Sequence, residues 1–97
     1  MNDGWRALRD YLDDLRRRTA EGDELVRLDA EIVSTADPMA RMKRIDERRR
    51  AAERRRDLEA AFVAQARPWS QSANVRRAAF LAEGVPSDLL DRAGVAD

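Results

Sequence analysis

The sequence predicts an all-α protein, an antiparallel helical hairpin or coiled coil carrying a small C-terminal helix-turn-helix-like module. Three observations lead there. Apolar residues recur at three- and four-residue steps, helix start and stop signals punctuate the chain, and no stretch calls for a sheet. A length of 97 residues allows one domain, or one small module on a coiled coil. The division expected is a helical coiled-coil region over residues 1–67 and a helix-turn-helix-like module over 68–97.

The first helix is capped by Asn2, Asp3 or Gly4 and carries its apolar stripe on Trp5, Leu8, Tyr11, Leu12 and Leu15. Its acids lie early and Arg16, Arg17 and Arg18 late, the order that the helix dipole favours. Gly22-Asp23 interrupts this helix as a kink or a full break, because glycine is a poor helix residue and Asp23 can cap a new helix after it. Leu25, Leu28 and Ile32, with Val26 and Val33 beside them, carry the stripe on to Ser34. Asp37-Pro38 then gives the clearest helix start in the chain: a side chain that accepts from free N–H groups, next to a residue that has none to leave unpaired.

From Pro38 a long helix is predicted to run to Ala66, with Met42, Ile45, Ala52, Phe62 and Ala66 on one face and Leu58 just off it. The short turn before it places it antiparallel to residues 24–34, with Leu28 and Ile32 facing Met39, Met42 and Ile45. Pro68 is expected to end or kink the long helix, and Trp69 to anchor the C-terminal module. In that module Asn74 caps a helix over Val75–Glu83, Gly84-Val85-Pro86 forms the turn, and Ser87–Ala93 is a second helix closed by Gly94. Two short helices around a glycine turn match the helix-turn-helix pattern.

Charged residues make up 39% of the chain and aromatic residues 5%, so the core of a single chain is thin. A stripe left partly uncovered can be covered by a second chain, which predicts a dimer or higher oligomer. Cysteine and histidine are both absent, which removes thiolate chemistry and the usual zinc ligands. No catalytic residue, metal ligand, cofactor or small-molecule substrate is expected, since no general base or nucleophile stands out. Early acids and an apolar run no longer than Ala60–Ala64 predict neither a secretory leader nor a membrane span, and a cytoplasmic protein.

The formal net charge of zero hides a segregation. Residues 1–38 hold six basic against ten acidic residues, residues 39–67 ten against five, and residues 68–97 three against four. Much of the excess sits in two triplets, Arg48, Arg49, Arg50 and Arg54, Arg55, Arg56. Two arrangements suit this: acidic and basic helices pairing with each other, or a basic surface kept for a polyanion.

The stretch Ala64-Gln65-Ala66-Arg67-Pro68-Trp69-Ser70 and then residues 75–95, with Gly84-Val85-Pro86, Leu90 and Ala93-Gly94 as its key positions, resembles a group of small actinobacterial proteins. Those end in the form A-A-W-R-E-x-G-V-P-x-x-V-L-x-x-A-G-I after a coiled coil entered through Asp-Pro. The likeness covers residues 36–95. It implies a nucleoid-associated, helix-turn-helix DNA-binding protein. The chain departs from that pattern in keeping only Phe80 of an aromatic pair and in placing Asp88 and Asp91 where the final helix is usually basic. DNA contact is therefore expected at Ser72, Asn74, Arg76, Arg77, Ser87 and Arg92, with the two arginine triplets as a secondary basic surface. The alternative is a helical protein-interaction or assembly adaptor, in which the arginines pair with acids of residues 1–38.

Overall fold

The computed structural model describes residues 3–97. Five helices succeed one another: α1 (Asp3–Glu21), α2 (Glu24–Ser34), α3 (Pro38–Ala73), α4 (Arg77–Ala82) and α5 (Ser87–Ala93). Among the described residues there is no strand, and the fold is all-α as expected. A 36-residue helix spans about 54 Å at 1.5 Å per residue. The molecule's longest extent is 52 Å, so α3 sets its length.

α1 and α2 lie end to end and both run antiparallel to α3. Tyr11 packs against Phe62 with ring centroids 4.7 Å apart, Asp23 meets Arg55 at 2.8 Å, and Asp29 meets Arg48 at 2.7 Å. The partner's number falls as the chain number rises, which fixes the direction. Gly22-Asp23 is a full break: Gly22 takes a left-handed φ of 91°, and the Asp23 carboxylate accepts from the Leu25 N–H at 2.9 Å. The other predicted start holds in the same way, with Asp37 accepting from the Ala40 N–H at 2.9 Å and Pro38 opening the helix. Capping by Asn2 lies outside the described residues.

Pro68 neither ends nor breaks α3, which continues to Ala73. The expected stop fails because Pro68 and Ala64, whose carbonyl loses its N–H partner, both lie on the exposed side. Water can take that carbonyl, while Ala66 and Trp69 hold the inner face of the helix on the core. The division drawn between residues 67 and 68 thus falls inside one helix, and residues from both sides share one buried cluster. That cluster joins Leu8 and Tyr11 of α1, Phe62 and Ala66 of α3, Phe80 of α4, and Val85, Leu89, Leu90, Ala93 and Val95 of the C-terminal end.

The C-terminal segments close by a repeated device. Val75, Val85 and Val95 each donate a backbone N–H to the carbonyl five residues earlier, on Ser70, Phe80 and Leu90. The residue before each valine, Asn74, Gly84 or Gly94, is left-handed. This is the helix ending in which the residue past the turn packs back onto the helix it leaves. Val85 and Val95 are buried, and Val75 packs against the same cluster. Asn74 is therefore the C-cap of α3, not the N-cap predicted for the next helix, which starts later at Arg77.

The stripe predicted along α3 is only half right. Phe62 and Ala66 are buried, but toward the helix start the buried position is Ala51, while Met39, Met42 and Ile45 are exposed. The row that meets α2 runs through Arg44, Arg48, Ala51 and Arg55, turned away from Met42 and Ile45. Ion pairing accompanies this rotation: Arg44, Arg48 and Arg55 each find an acid on α2 or at its cap. Leu28 of α2 is buried on this side.

Candidate interaction surfaces

The arginine triplets are largely committed within the chain. Across the α2–α3 seam Arg44 faces Glu31 at 3.7 Å, Arg48 faces Asp29 at 2.7 Å, Arg54 faces Glu24 at 3.5 Å and Arg55 faces Asp23 at 2.8 Å. Along α3 itself Arg49 bridges Asp46 and Glu53, and Arg50 reaches Asp46. Of the six residues expected as a secondary basic surface, Arg56 has no ion pair or hydrogen bond among the described residues. Exposed pairs of this kind contribute little stability one by one, but together they neutralise the rod and set the pairing of its helices.

The Arg55–Asp23 pair is the strong one. Arg55 donates from both terminal nitrogens, at 2.8 and 3.1 Å, to the two oxygens of Asp23. That hydrogen-bonded guanidinium, together with the Leu25 N–H, holds the Asp23 carboxyl down from 3.8 to about 2. A folded value below the unfolded one means stability present above pH 4 and lost as pH falls from about 4 toward 2. Asp23→Asn keeps a good cap but removes the charge and one of the two oxygens to which Arg55 donates. It is expected to cost about 1–2 kcal/mol at pH 7, allowing for solvent screening. The gap between variant and parent should close by pH 2 in urea titrations followed by circular dichroism, and a gap independent of pH would contradict this role.

Of the six residues expected to contact DNA, Ser72, Asn74, Arg76, Ser87 and Arg92 expose their side chains and one, Arg77, is partly buried. Arg77 is engaged elsewhere, since it donates to the Val95 carbonyl at 2.8 Å and to the Ser87 carbonyl at 3.0 Å, and it pairs with Asp91 at 2.9 Å. Its side chain is 16% exposed. It ties the start of α4 to the start of α5 and to the tail, and it joins Ser87 only through that residue's backbone. α5 buries Leu89, Leu90 and Ala93 and leaves Asp88, Asp91 and Arg92 outside, so its open face carries two acids against one base. Such a face repels phosphates.

A groove on the same end of the molecule has a different character. α1, the end of α3 and α4 enclose about 380 Å³ lined by Trp5, Leu8, Leu12, Trp69, Val75, Ala79 and Phe80. Trp69 meets Phe80 edge-on at 6.1 Å, and Arg9 lies over the Trp5 ring at 5.2 Å. Arg9, Arg16, Asp13 and Glu83 form its rim, with both signs of charge. A second, larger cleft of about 710 Å³ lies at the α1–α2 break and is lined mainly by charged groups, from Asp10 to Arg55. Among the described residues no cluster of three or more acidic side chains could hold a metal ion, and no helix is long and apolar enough to cross a membrane.

Comparison with family models, with curated proteins and with solved structures finds no match to this chain.

The groove is not legible in the sequence, although the sequence predicts inward positions for both of its tryptophans. The signal available was the register: if α1 pairs antiparallel with α3 so that Tyr11 meets Phe62, then Trp5 comes level with Trp69. That register rests on the break at Gly22, which the sequence left open.

Proposed function

We propose that this chain is a non-enzymatic protein-interaction module, an adaptor whose groove between α1 and α4 takes the apolar face of a partner's amphipathic helix. The observation that carries this reading is the contrast between the two kinds of surface. Most arginines that a polyanion would need are paired with the chain's own acids, whereas an aromatic-lined groove opens to solvent. Apolar anchors in such a groove supply affinity, and a rim of mixed charge supplies orientation. A DNA-binding reading would rest on Arg6, Arg41, Lys43, Arg56, Arg67, Arg76 and Arg92, whose side chains have no ion pair or hydrogen bond among the described residues.

Fluorescence reports on the groove directly, because the chain has two tryptophans and both line it. Titration with synthetic helical peptides that display leucine at i, i+3 or i+4 and i+7 is expected to shift tryptophan emission to the blue, saturably. Ala79→Arg, at an exposed position in the lining, is expected to abolish the shift while leaving helicity unchanged. Unchanged emission with every such peptide, together with duplex DNA binding at about 50 mM salt that weakens steeply as salt rises, would transfer the function to DNA.

A further inference from the structure

We propose that the free half of the hairpin, α2 with the first third of α3, is a self-association surface that takes a second copy of this chain. The position of the exposed apolar side chains comes first. Of the seven large hydrophobic residues that stand exposed among the described residues, five lie in this half: Val26, Val33, Met39, Met42 and Ile45. Val33 is 88% exposed, Met42 58% and Ile45 50%. The antiparallel register that sets Glu31 against Arg44 also brings Val33 level with Met42. Met42 and Ile45 stand one turn apart, to one side of the arginine row that meets α2.

Coverage explains why they are bare. Near its C-terminal end α3 is packed by α1 and α5, whereas among the described residues the half beside α2 is chiefly a two-helix hairpin. Two antiparallel helices have no closed core. Two such hairpins laid together across a twofold axis make a four-helix bundle, which has one.

The surface area points the same way. The chain exposes 6809 Å², while a compact monomer of its 11.1 kDa exposes about 5,700 Å². The surplus, roughly 1,100 Å², exceeds the ~800 Å² per partner that a standard stable interface removes. The radius of gyration, 16.1 Å, likewise exceeds the ~13 Å of a compact domain of this length.

Charge selects the occupant. Residues 24–50 hold seven basic and six acidic residues, and the pairs across the seam and along α3 already engage most of them. The side chains of Arg41 and Lys43, on either side of Met42, have no ion pair among the described residues; with seven bases against six acids the surface as a whole carries little net charge and does not repel its own copy. Methionine suits such a contact, because its flexible side chain adapts to the facing surface.

This surface is separate from the α1–α4 groove, so the two readings stand or fall separately. Light scattering after size exclusion, at tens of micromolar protein, is expected to give twice the chain mass of 11.1 kDa. The pair of substitutions Met42→Glu and Ile45→Glu is expected to halve that mass with unchanged helicity and unchanged peptide-induced tryptophan shift. The chain contains no cysteine, so single cysteines can map the contact even if the double variant folds poorly. Met42→Cys is expected to form a disulfide-linked dimer under mild oxidation much faster than Leu81→Cys, which sits exposed on the other end of the molecule. A monomeric parent chain, a double variant that folds and remains dimeric, or equal cross-linking at both positions would each overturn the proposal.

Discussion

Phe62→Ala is expected to remove about 3–5 kcal/mol of folding stability. Phe62 is fully buried. Its ring packs at a tilt against Tyr11 of α1, 4.7 Å between centroids, and meets Phe80 of α4 at 6.0 Å in an edge-on arrangement. One side chain therefore joins the long helix to the first arm of the hairpin and to the C-terminal cap. Truncation loses the transfer energy of the ring, leaves a cavity that three helices would have to collapse into, and removes two aromatic contacts. Domains of this size have total stabilities of about 5–15 kcal/mol, so most of the margin can disappear. Phe62→Leu preserves much of the volume and should cost less, about 1–2 kcal/mol. Urea unfolding followed by circular dichroism measures both. A loss under about 1.5 kcal/mol for the alanine variant would mean that the cluster is not closed around this ring.

Arg77→Ala should cost about 2–3 kcal/mol, with the damage concentrated at the C-terminal end. The guanidinium makes two charge-assisted bonds to backbone carbonyls and one ion pair, and it is mostly shielded from water. Without it, the Val95 carbonyl loses a donor in a partly buried place and the exposed Ser87 carbonyl loses its tie to α4, and α5 is held chiefly by Leu89, Leu90, Ala93 and the nearby Val95. Hydrogen exchange is expected to accelerate over residues 87–95 and to change little in α2. Arg77→Lys should recover less than half of the loss, because an ammonium is a point donor and cannot reach both carbonyls and Asp91 as a planar fork does. If Arg77 served instead to hold phosphate, as the sequence alone suggests, the alanine variant would keep its stability and its exchange pattern. This variant therefore tests the architecture of the cap and the DNA reading together.

The residues most legible in the sequence were those whose physics is local. Asp37-Pro38 fixed a helix start, since a capping carboxylate and a proline at the first position act on their immediate neighbours. Gly84 and Gly94 fixed two helix ends, because a left-handed backbone is open to glycine at little cost. The stripe Trp5, Leu8, Tyr11, Leu12 and Leu15 identified the inner face of α1, from which Leu8 and Tyr11 enter the core. Asn74 shows where local signals become ambiguous. Asparagine serves both as an N-cap and in the left-handed position after a helix, and only the packing of Val75 on the cluster decides for the second.

The sequence by itself determined the all-α class, the helix boundaries at Asp37, Gly84 and Gly94, and the segregation of acids from arginines. Tertiary structure decided the rest. Pro68 stays within α3 because that side of the helix faces water while the other is held on the core. The rotation of α3 against α2 matches the carboxylates that Arg44, Arg48 and Arg55 find, which leaves Met42 and Ile45 outside. Arg77 faces inward because α5 and the tail bring two carbonyls and Asp91 within its reach. Trp5 and Trp69 share a groove only because α1 folds back along α3. Each of these depends on contacts between residues far apart in the chain, and helical periodicity gives the angle of a side chain about its own axis but not the helix that meets it.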